Sequence, residues 1–258
     1  MVDLHAHVLA GIDDGPATES EALAVARAAA AAGTRVLVAT PHVNARFDPS
    51  PVEVAARVDA LTALLAAEGV ALEIPTGAEI AHQRLDDLDD DRLRHHSLGG
   101  GGVVLLECDP PAARDIELDV ASLRSRGFGV LLAHTERCRI FRQDPGMIGR
   151  LVAAGARVSV TAASFDGAFG EPARRFAFAL LEAGLVHDIA SDAHDLRARP
   201  PDLRVGARAI RRRLRGTEPW LRHLTQDGPA AMLTGTPVPP PPVARPRRRS
   251  VLGQLLGH

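Results

Sequence analysis

The sequence predicts an α/β fold closed as a seven-stranded (β/α) barrel, and three observations carry that expectation. Seven apolar, β-branched-rich runs alternate with helical patterns along the chain. Most of the helical patterns stop at a glycine, after which the next apolar run begins. Residues able to bind metals end the apolar runs, which is where a βα barrel carries its active face. Seven units argue for a closed barrel over an open sheet, although periodicity alone does not settle closure.

The runs are Val2–Val8, Arg35–Val43, Ala71–Ile80, Gly102–Cys108, Gly129–Glu136, Arg157–Ala163 and Val186–His194. The helix expected over Ala17–Ala32 starts at Thr18 with Glu21 three residues on, a capping-box spacing, and stops at Gly33. Ser50-Pro51 opens a second helix to Glu68, closed by Gly69. Helices over Arg114–Arg126, Pro145–Ala154 and Glu171–Ala183 end at Gly127, Gly155 and Gly184. Asp202–Leu214 and Glu218–Leu233 read as two closing helices. Gly99–Gly102 lacks the GxGxxG spacing and reads as a connector without a phosphate role. A main domain is therefore expected over residues 1–235. The Pro- and Arg-rich segment 236–258 is expected to be a disordered tail, or alternatively a tether to anionic lipid or to an acidic partner tail.

A chain of 258 residues with 46% hydrophobic content can bury one large core. Its 30 basic residues are all Arg, and the absence of Lys excludes a Schiff base or a P-loop ATPase. A net charge of −2 gives no electrostatic case for nucleic acid. Cys108 and Cys138 make no disulfide framework, which fits a reducing cytoplasm. No uncharged apolar stretch approaches the ~18 residues of a membrane span, so integral membrane association is not expected.

The chemistry lies in residues far apart in the chain. His5 and His7, and Asp192 and His194, are each spaced i, i+2 at strand ends, so both members of each pair point to one face. His42, Glu79, Glu107 and His134 end the runs between them. A lone His on an apolar strand is usually a satisfied core residue. About nine N and O donors at one end of a barrel are too many for one ion and suit two or three. Burying so many ionisable groups without cations would be costly.

With DLHAHVLAGIDDGP at Asp3–Pro16, ATPH at Ala39–His42, GAEI at Gly77–Ile80, HTER at His134–Arg137 and IASDAHDLRARPP at Ile189–Pro201, the chain resembles the polymerase-and-histidinol-phosphatase (PHP) superfamily. Within it, the likeness is to the bacterial metal-dependent protein-tyrosine phosphatases of capsule and exopolysaccharide operons, and it runs from Val2 to about Leu233. The resemblance implies a distorted seven-stranded βα barrel with up to three metals. It implies one site of His5, His7, Glu79 and Asp192, a second of Glu79, Glu107 and His134, and a third of Asp14, His42 and His194. Asp13 competes with Asp14 for the last role. Arg137 would grip the phosphate, and manganese is the first expectation, with iron or zinc as alternatives. Cys138 stands where the family usually has an aromatic residue.

The expected activity is hydrolysis of phosphotyrosine in a protein, with a bacterial tyrosine kinase as the implied partner. The expected location is the cytoplasm, with recruitment to the inner membrane surface by that partner or the tail. A histidinol-phosphatase-like monoesterase is the alternative within the enzymes, and a non-catalytic metal-bound scaffold the alternative outside them. Cys108–Arg114 matches the Cys-x5-Arg pattern of cysteine phosphatases. It is rejected because Pro110 and Pro111 remove cradle N–H groups and flanking acids raise the thiol pKa. His82, His95 and His96 read as exposed or loop residues. Phe165 and Phe169 are equally read as core packing or as a wall for an aromatic ring.

Overall fold

The computed structural model describes residues 1–108 and 115–242, together with the backbone of 247–248. β1 (Val2–Ala6) pairs in parallel with β2 (Val36–Ala39). β3 (His42–Val43), β4 (Glu79–Ala81), β5 (Val103–Glu107), β6 (Gly129–Leu132), β7 (Ala156–Thr161) and β8 (Asp188–Ala190) form a second parallel sheet in chain order. The α/β class and the parallel order are as expected, but among the described residues no single ladder closes on itself. The second and third expected strands are each interrupted by a proline, Pro41 and Pro75, which cannot donate to a ladder. Their carbonyls still accept: Ala39 N–H donates to Pro75 O at 3.0 Å and Glu79 N–H to Pro41 O at 3.0 Å. Single bridges, Ala39↔Thr76 and Ala6↔Ala193, join the two sheets on both sides.

Helices cover the strands. α1 (Glu19–Ala31) and α2 (Pro51–Ala67) carry complete capping boxes at Thr18/Glu21 and Ser50/Glu53. α3 (Asp90–His96), α4 (Ile116–Ser125), α5 (Arg139–Gln143), α6 (Pro145–Ala153), α7 (Ala162–Asp166) and α8 (Gly170–Ala183) follow, then α9 (Arg204–Arg213). The last expected helix is divided into α10 (Glu218–Arg222), a π turn at His223–Asp227 and α11 (Gly228–Leu233). β9 (Leu214–Arg215) pairs antiparallel with β10 (Arg247–Arg248), and Val238 packs on the core, so parts of the segment expected to be disordered are engaged. Residues 243–246 and 249–258 lie outside the described residues.

Strand alternation sorts the core. Val104, Leu106, Val130 and Leu132 join the large cluster that also holds Phe128, Phe141, Phe165 and Phe178. Leu105 and Leu131 turn to the other face and meet Leu4, Val38 and Met232. Glu107 shares a face with Leu105, two residues back, so this smaller cluster is the floor beneath the polar strand ends. Parallel register sets His42 beside Glu79 across β3 and β4, which starts to assemble the site.

Candidate metal centre

Glu79 is fully buried, and four imidazoles surround its carboxylate. Oε2 lies 3.3 Å from His5 Nε2, 3.3 Å from His7 Nε2 and 3.0 Å from His42 Nδ1, while Oε1 lies 2.8 Å from His134 Nε2. Asp192 Oδ1 faces the same space, 3.4 Å from His5 Nε2 and 3.6 Å from His7 Nε2. Glu107 Oε1 is 3.5 Å from His134 Nε2. On the outer side, Asp14 Oδ1 stands 3.3 Å from His194 Nε2 and 3.5 Å from His42 Nε2. All nine ligand candidates read from the sequence therefore meet, with Arg137 beside them.

The donor set fits divalent cations. Most of these separations exceed a charge-assisted hydrogen bond, yet match the spacing of two donors each about 2.0–2.2 Å from a shared ion. The His5 and His7 Nε2 atoms face each other at 3.1 Å inside the cluster. Glu79 Oε2, His42 Nδ1 and His194 Nε2 are buried and make no hydrogen bond. Four groups bring one ligand atom per residue within 4.8 Å of one another: His7/Asp14/His42/His194, His5/Glu79/His134, His5/His7/Asp192 and His42/Glu79/Glu107. Compared with the grouping implied by resemblance, His7 also joins the outer set, and His42 joins Glu79 and Glu107.

Backbone strain occurs at the same place. Among the described residues, only His134 (φ 28°) and Asp192 (φ 52°) have positive φ without being glycine. Both lie just past strand ends, where a left-handed turn swings the side chain into the cluster. A conformation that costs on the order of 1 kcal/mol or more persists where the surroundings impose it.

The adjacent acids of the Gly-Ile-Asp-Asp-Gly piece divide the work. Asp13 turns inward: its Oδ2 accepts from His7 Nδ1 at 2.6 Å and from His42 N–H at 3.1 Å, and its Oδ1 from Gly15 N–H at 3.0 Å. Asp14, 39% exposed at its side chain, is the one that reaches the imidazoles. Gly15 is required by packing, because a Cβ there would sit 2.6 Å from His7 O. Burial opposes charge on His7, but the Asp13 and Glu79 carboxylates outweigh it and hold the imidazole up at about 10. His134, likewise buried, is held up at about 9 by Glu79. Against their own burial, Glu79 is kept well below the carboxylate range by His5 and His134, and Asp192 by the same two imidazoles. Both are anionic at neutral pH, and a bound cation would take the place of the protons that His7 and His134 hold without it.

Two arginines flank the cluster. The Arg137 guanidinium bonds Asp192 Oδ2 and lies 4.3 Å over the Phe169 ring. Arg199, to which the sequence reading gave no role although it lies in the matched Ile189–Pro201 piece, sits 3.4 Å from Asp192 Oδ2 and 3.8 Å from Asp14 Oδ2. Glu136 of the His-Thr-Glu-Arg turn points away. It accepts from Ser164 Oγ at 2.6 Å and Thr161 N–H at 3.2 Å, pinning the turn to the end of β7. The two phenylalanines separate: Phe165 packs edge-on against Phe178 in the core, and Phe169 backs Arg137. A cavity of about 470 Å³ opens beside Asp14 and His194, lined by Pro16, Glu21, Leu196 and Arg197.

His82 and His96 depart from the exposed or loop placement expected of them. His82 is buried, 2.9 Å from Asp119 Oδ2 on α4, and His96 is buried as well; only His95 of the three is exposed. Cys108 is buried, and its thiol hydrogen-bonds Cys138, bringing that thiol down to about 6. The rest of the Cys-x5-Arg segment, residues 109–114, lies outside the described residues.

Known proteins resemble this chain in sequence and fold. The tyrosine-protein phosphatase YwqE of Bacillus subtilis (strain 168) is 33% identical over 204 residues, 77% of this chain and 79% of YwqE. The tyrosine-protein phosphatase CpsB of Streptococcus pneumoniae is 29% identical over 210 residues, 78% of this chain and 86% of CpsB. A chain from the crystal structures of those two proteins, described as unique metal-dependent tyrosine phosphatases, superposes with a TM-score of 0.81 at 29% identity, covering 95% of this chain and 100% of its own. A β-aspartyl dipeptidase from Fervidobacterium islandicum, at a TM-score of 0.53 and 16% identity, shares the fold alone. The model of the family described as "Capsular polysaccharide synthesis, CpsB/CapC" matches residues 1–234, and the chain belongs to that family.

Proposed function

We propose that this chain is a metal-dependent phosphatase that hydrolyses phosphotyrosine in proteins, opposing a bacterial tyrosine kinase of capsule synthesis on the cytoplasmic side of the membrane. The observation that carries the reading is one buried carboxylate, Glu79, shared by four imidazoles within reach of two arginines. The working unit is residues 1–235, with the two sheets acting as the distorted seven-stranded barrel of the PHP superfamily and 236–258 as an appendage. Two or three divalent ions, manganese first, would be held by His5, His7, Asp14, His42, Glu79, Glu107, His134, Asp192 and His194. When bound, they supply Lewis acidity at the phosphate and activate water for in-line attack.

The chain's own groups do the rest. Arg137 and Arg199 present planar forks that match the equatorial phosphate oxygens and offset the charge that develops there. Both guanidiniums now lean on Asp192, which holds them at the edge of the cluster until a phosphate competes for them. Phe169 fixes the plane of Arg137 and offers an aromatic edge beside the phosphate position. Phenolate leaves with a pKa near ~10, so an aryl phosphate needs no dedicated acid.

Activity on para-nitrophenyl phosphate should vanish with chelator and return with manganese. Arg137→Ala should lose on the order of 10²-fold or more, while Cys108→Ser stays within a few-fold of the parent. A folded, metal-loaded but dead Cys108→Ser protein would overturn the metal mechanism. Faster turnover of histidinol phosphate than of a phosphotyrosine peptide would redirect the substrate assignment to small molecules.

A further inference from the structure

The opposite end of the strands carries a second polar cavity that the proposed chemistry does not use. It measures about 430 Å³, the scale of a small-ligand site, and is lined by Arg94, Arg124 and Arg157 around the starts of β5 and β6. Thr234 and Thr236, from the end of the last helix, complete the wall, and among the described residues no carboxylate lines it. Elsewhere this chain matches arginines with acids, as in Arg126–Asp90, Arg150–Glu117 and Arg211–Glu218. Arg124, two residues from Arg126, makes no ion pair among the described residues, and neither does Arg94 or Arg157.

The arginines make defined contacts, although Arg94 and Arg124 are exposed. Arg94 lies 5.3 Å over the Phe128 ring, and Arg124 Nη1 donates to Phe128 O at 3.3 Å. Gly155 leaves room for one guanidinium: a Cβ there would come 3.0 Å from Arg124 Nε. Arg157 is half-buried at the start of β7, and burial together with the Arg124 charge presses its pKa down. Arg124 repels the half-buried Arg157, and an anion between the two would offset that cost. The glycine backbone does not supply the recognition. The N–H groups of Gly100, Gly101, Gly102, Gly127 and Gly129 are already donated to Ser97 O, Leu98 O, Ser97 Oγ, Arg124 O and Gly102 O.

We propose that this cavity is a binding site for the phosphate group of a small ligand, separate from the metal centre and held by the guanidinium forks of Arg94, Arg124 and Arg157. Phosphate is the chemistry that planar, permanently charged forks match, and a concave site favours a free molecule over a lipid headgroup. The assignment does not depend on the phosphatase reading, because none of these residues lies at the metal-bearing strand ends.

Equilibrium dialysis of the metal-loaded protein against inorganic phosphate tests it, since any phosphate held at the metal centre is common to parent and variants. The parent should bind one equivalent more than Arg157→Gln, or bind that equivalent roughly tenfold or more tightly. Arg124→Gln, at an exposed position, should reproduce the loss if Arg157→Gln fails to fold. Both variants should turn over para-nitrophenyl phosphate within about two-fold of the parent, as distant sites do. Co-sedimentation with phosphatidylglycerol vesicles identifies the source. Vesicle binding lost in both variants, without the extra free phosphate, would assign the site to a headgroup. Equal phosphate and vesicle binding by parent and variants overturns the proposal.

Discussion

The metal cluster has an inner half and a rim, and the two are built differently. His5, His7, Glu79 and Asp192 are essentially inaccessible, with Glu79 at 0% exposure, whereas Asp14 is 39% exposed and Arg137 and Arg199 are more than a quarter exposed. Inner residues lie on or just past parallel strands, with His5 in β1, Glu79 opening β4 and Asp192 two residues beyond β8, and are tied to one another by backbone bonds, such as Asp192 N–H to His5 O at 2.9 Å. Rim residues come from loops, between β1 and α1 for Asp14 and after β8 for Arg199. A frame fixed by strand register can hold ions in one geometry, while a loop-borne rim can adjust to a phosphate of variable attachment.

The sharpest way to break that comparison is to neutralise one acid from each half. Glu79→Gln leaves four imidazoles without their shared charge, so most bound metal and all activity should be lost. Asp14→Asn should cost at most the outermost ion, leaving the rest bound after gel filtration and a measurable rate. Elemental analysis of the two variants decides it; equal metal loss from both would mean that the halves are one cooperative unit.

A smaller effect is expected one step behind the ligands. Asp13 touches no other cluster member's ring but sets the His7 ring through the 2.6 Å contact to Nδ1. Asp13→Asn should weaken metal binding by roughly 10–100-fold, the usual cost of losing a ligand's orienting partner. Manganese titration of apoprotein should show the shift, with most of kcat recovered at saturation. If kcat stays low at any manganese concentration, Asp13 has a role beyond orienting His7.

Much of the inner half was legible because it obeys local rules. The i, i+2 spacing of His5/His7 and Asp192/His194 needs only strand geometry, and the placing of Glu107 and His134 at or just past strand ends needs only run lengths, whereas Glu79, expected to end its run, opens β4 after the break at Pro75. The caps at Thr18 and Ser50 were readable for the same reason. The rim was less legible because its contacts are long-range. Nothing local tells Asp13 from Asp14, since a loop turn decides which carboxylate points inward. Phe169 under Arg137 and His82 against Asp119 each join different βα units, while Arg199 meets Asp192 across the turns of one long loop after β8. The broken ladder has a local cause in Pro41 and Pro75, but how the prolines' neighbours would re-pair depended on the adjoining strands.

The smallest predicted effect sharpens what the inner half rests on. Asp188 on β8 is fully buried; its Oδ2 accepts from Ser159 Oγ at 2.5 Å, while Oδ1 makes no hydrogen bond. Burial, reinforced by the charge of Asp3, pushes its pKa up to about 8. The unfolded chain ionises this group from about pH 4 upward, while the native chain keeps it protonated until about 8. Native protein therefore binds the extra proton across that window, and stability falls as pH rises through it, levelling off above. Asp188→Asn is neutral in both states and can keep a hydrogen bond to Ser159, so it removes this slope. The Tm gain of the variant over the parent should be near zero at pH 4 and grow steadily to pH 8, a difference from which metal binding common to both proteins cancels. A gain that is constant with pH would mean that Asp188 is ionised in the native state and that its partners, not its proton, set its place under the metal centre.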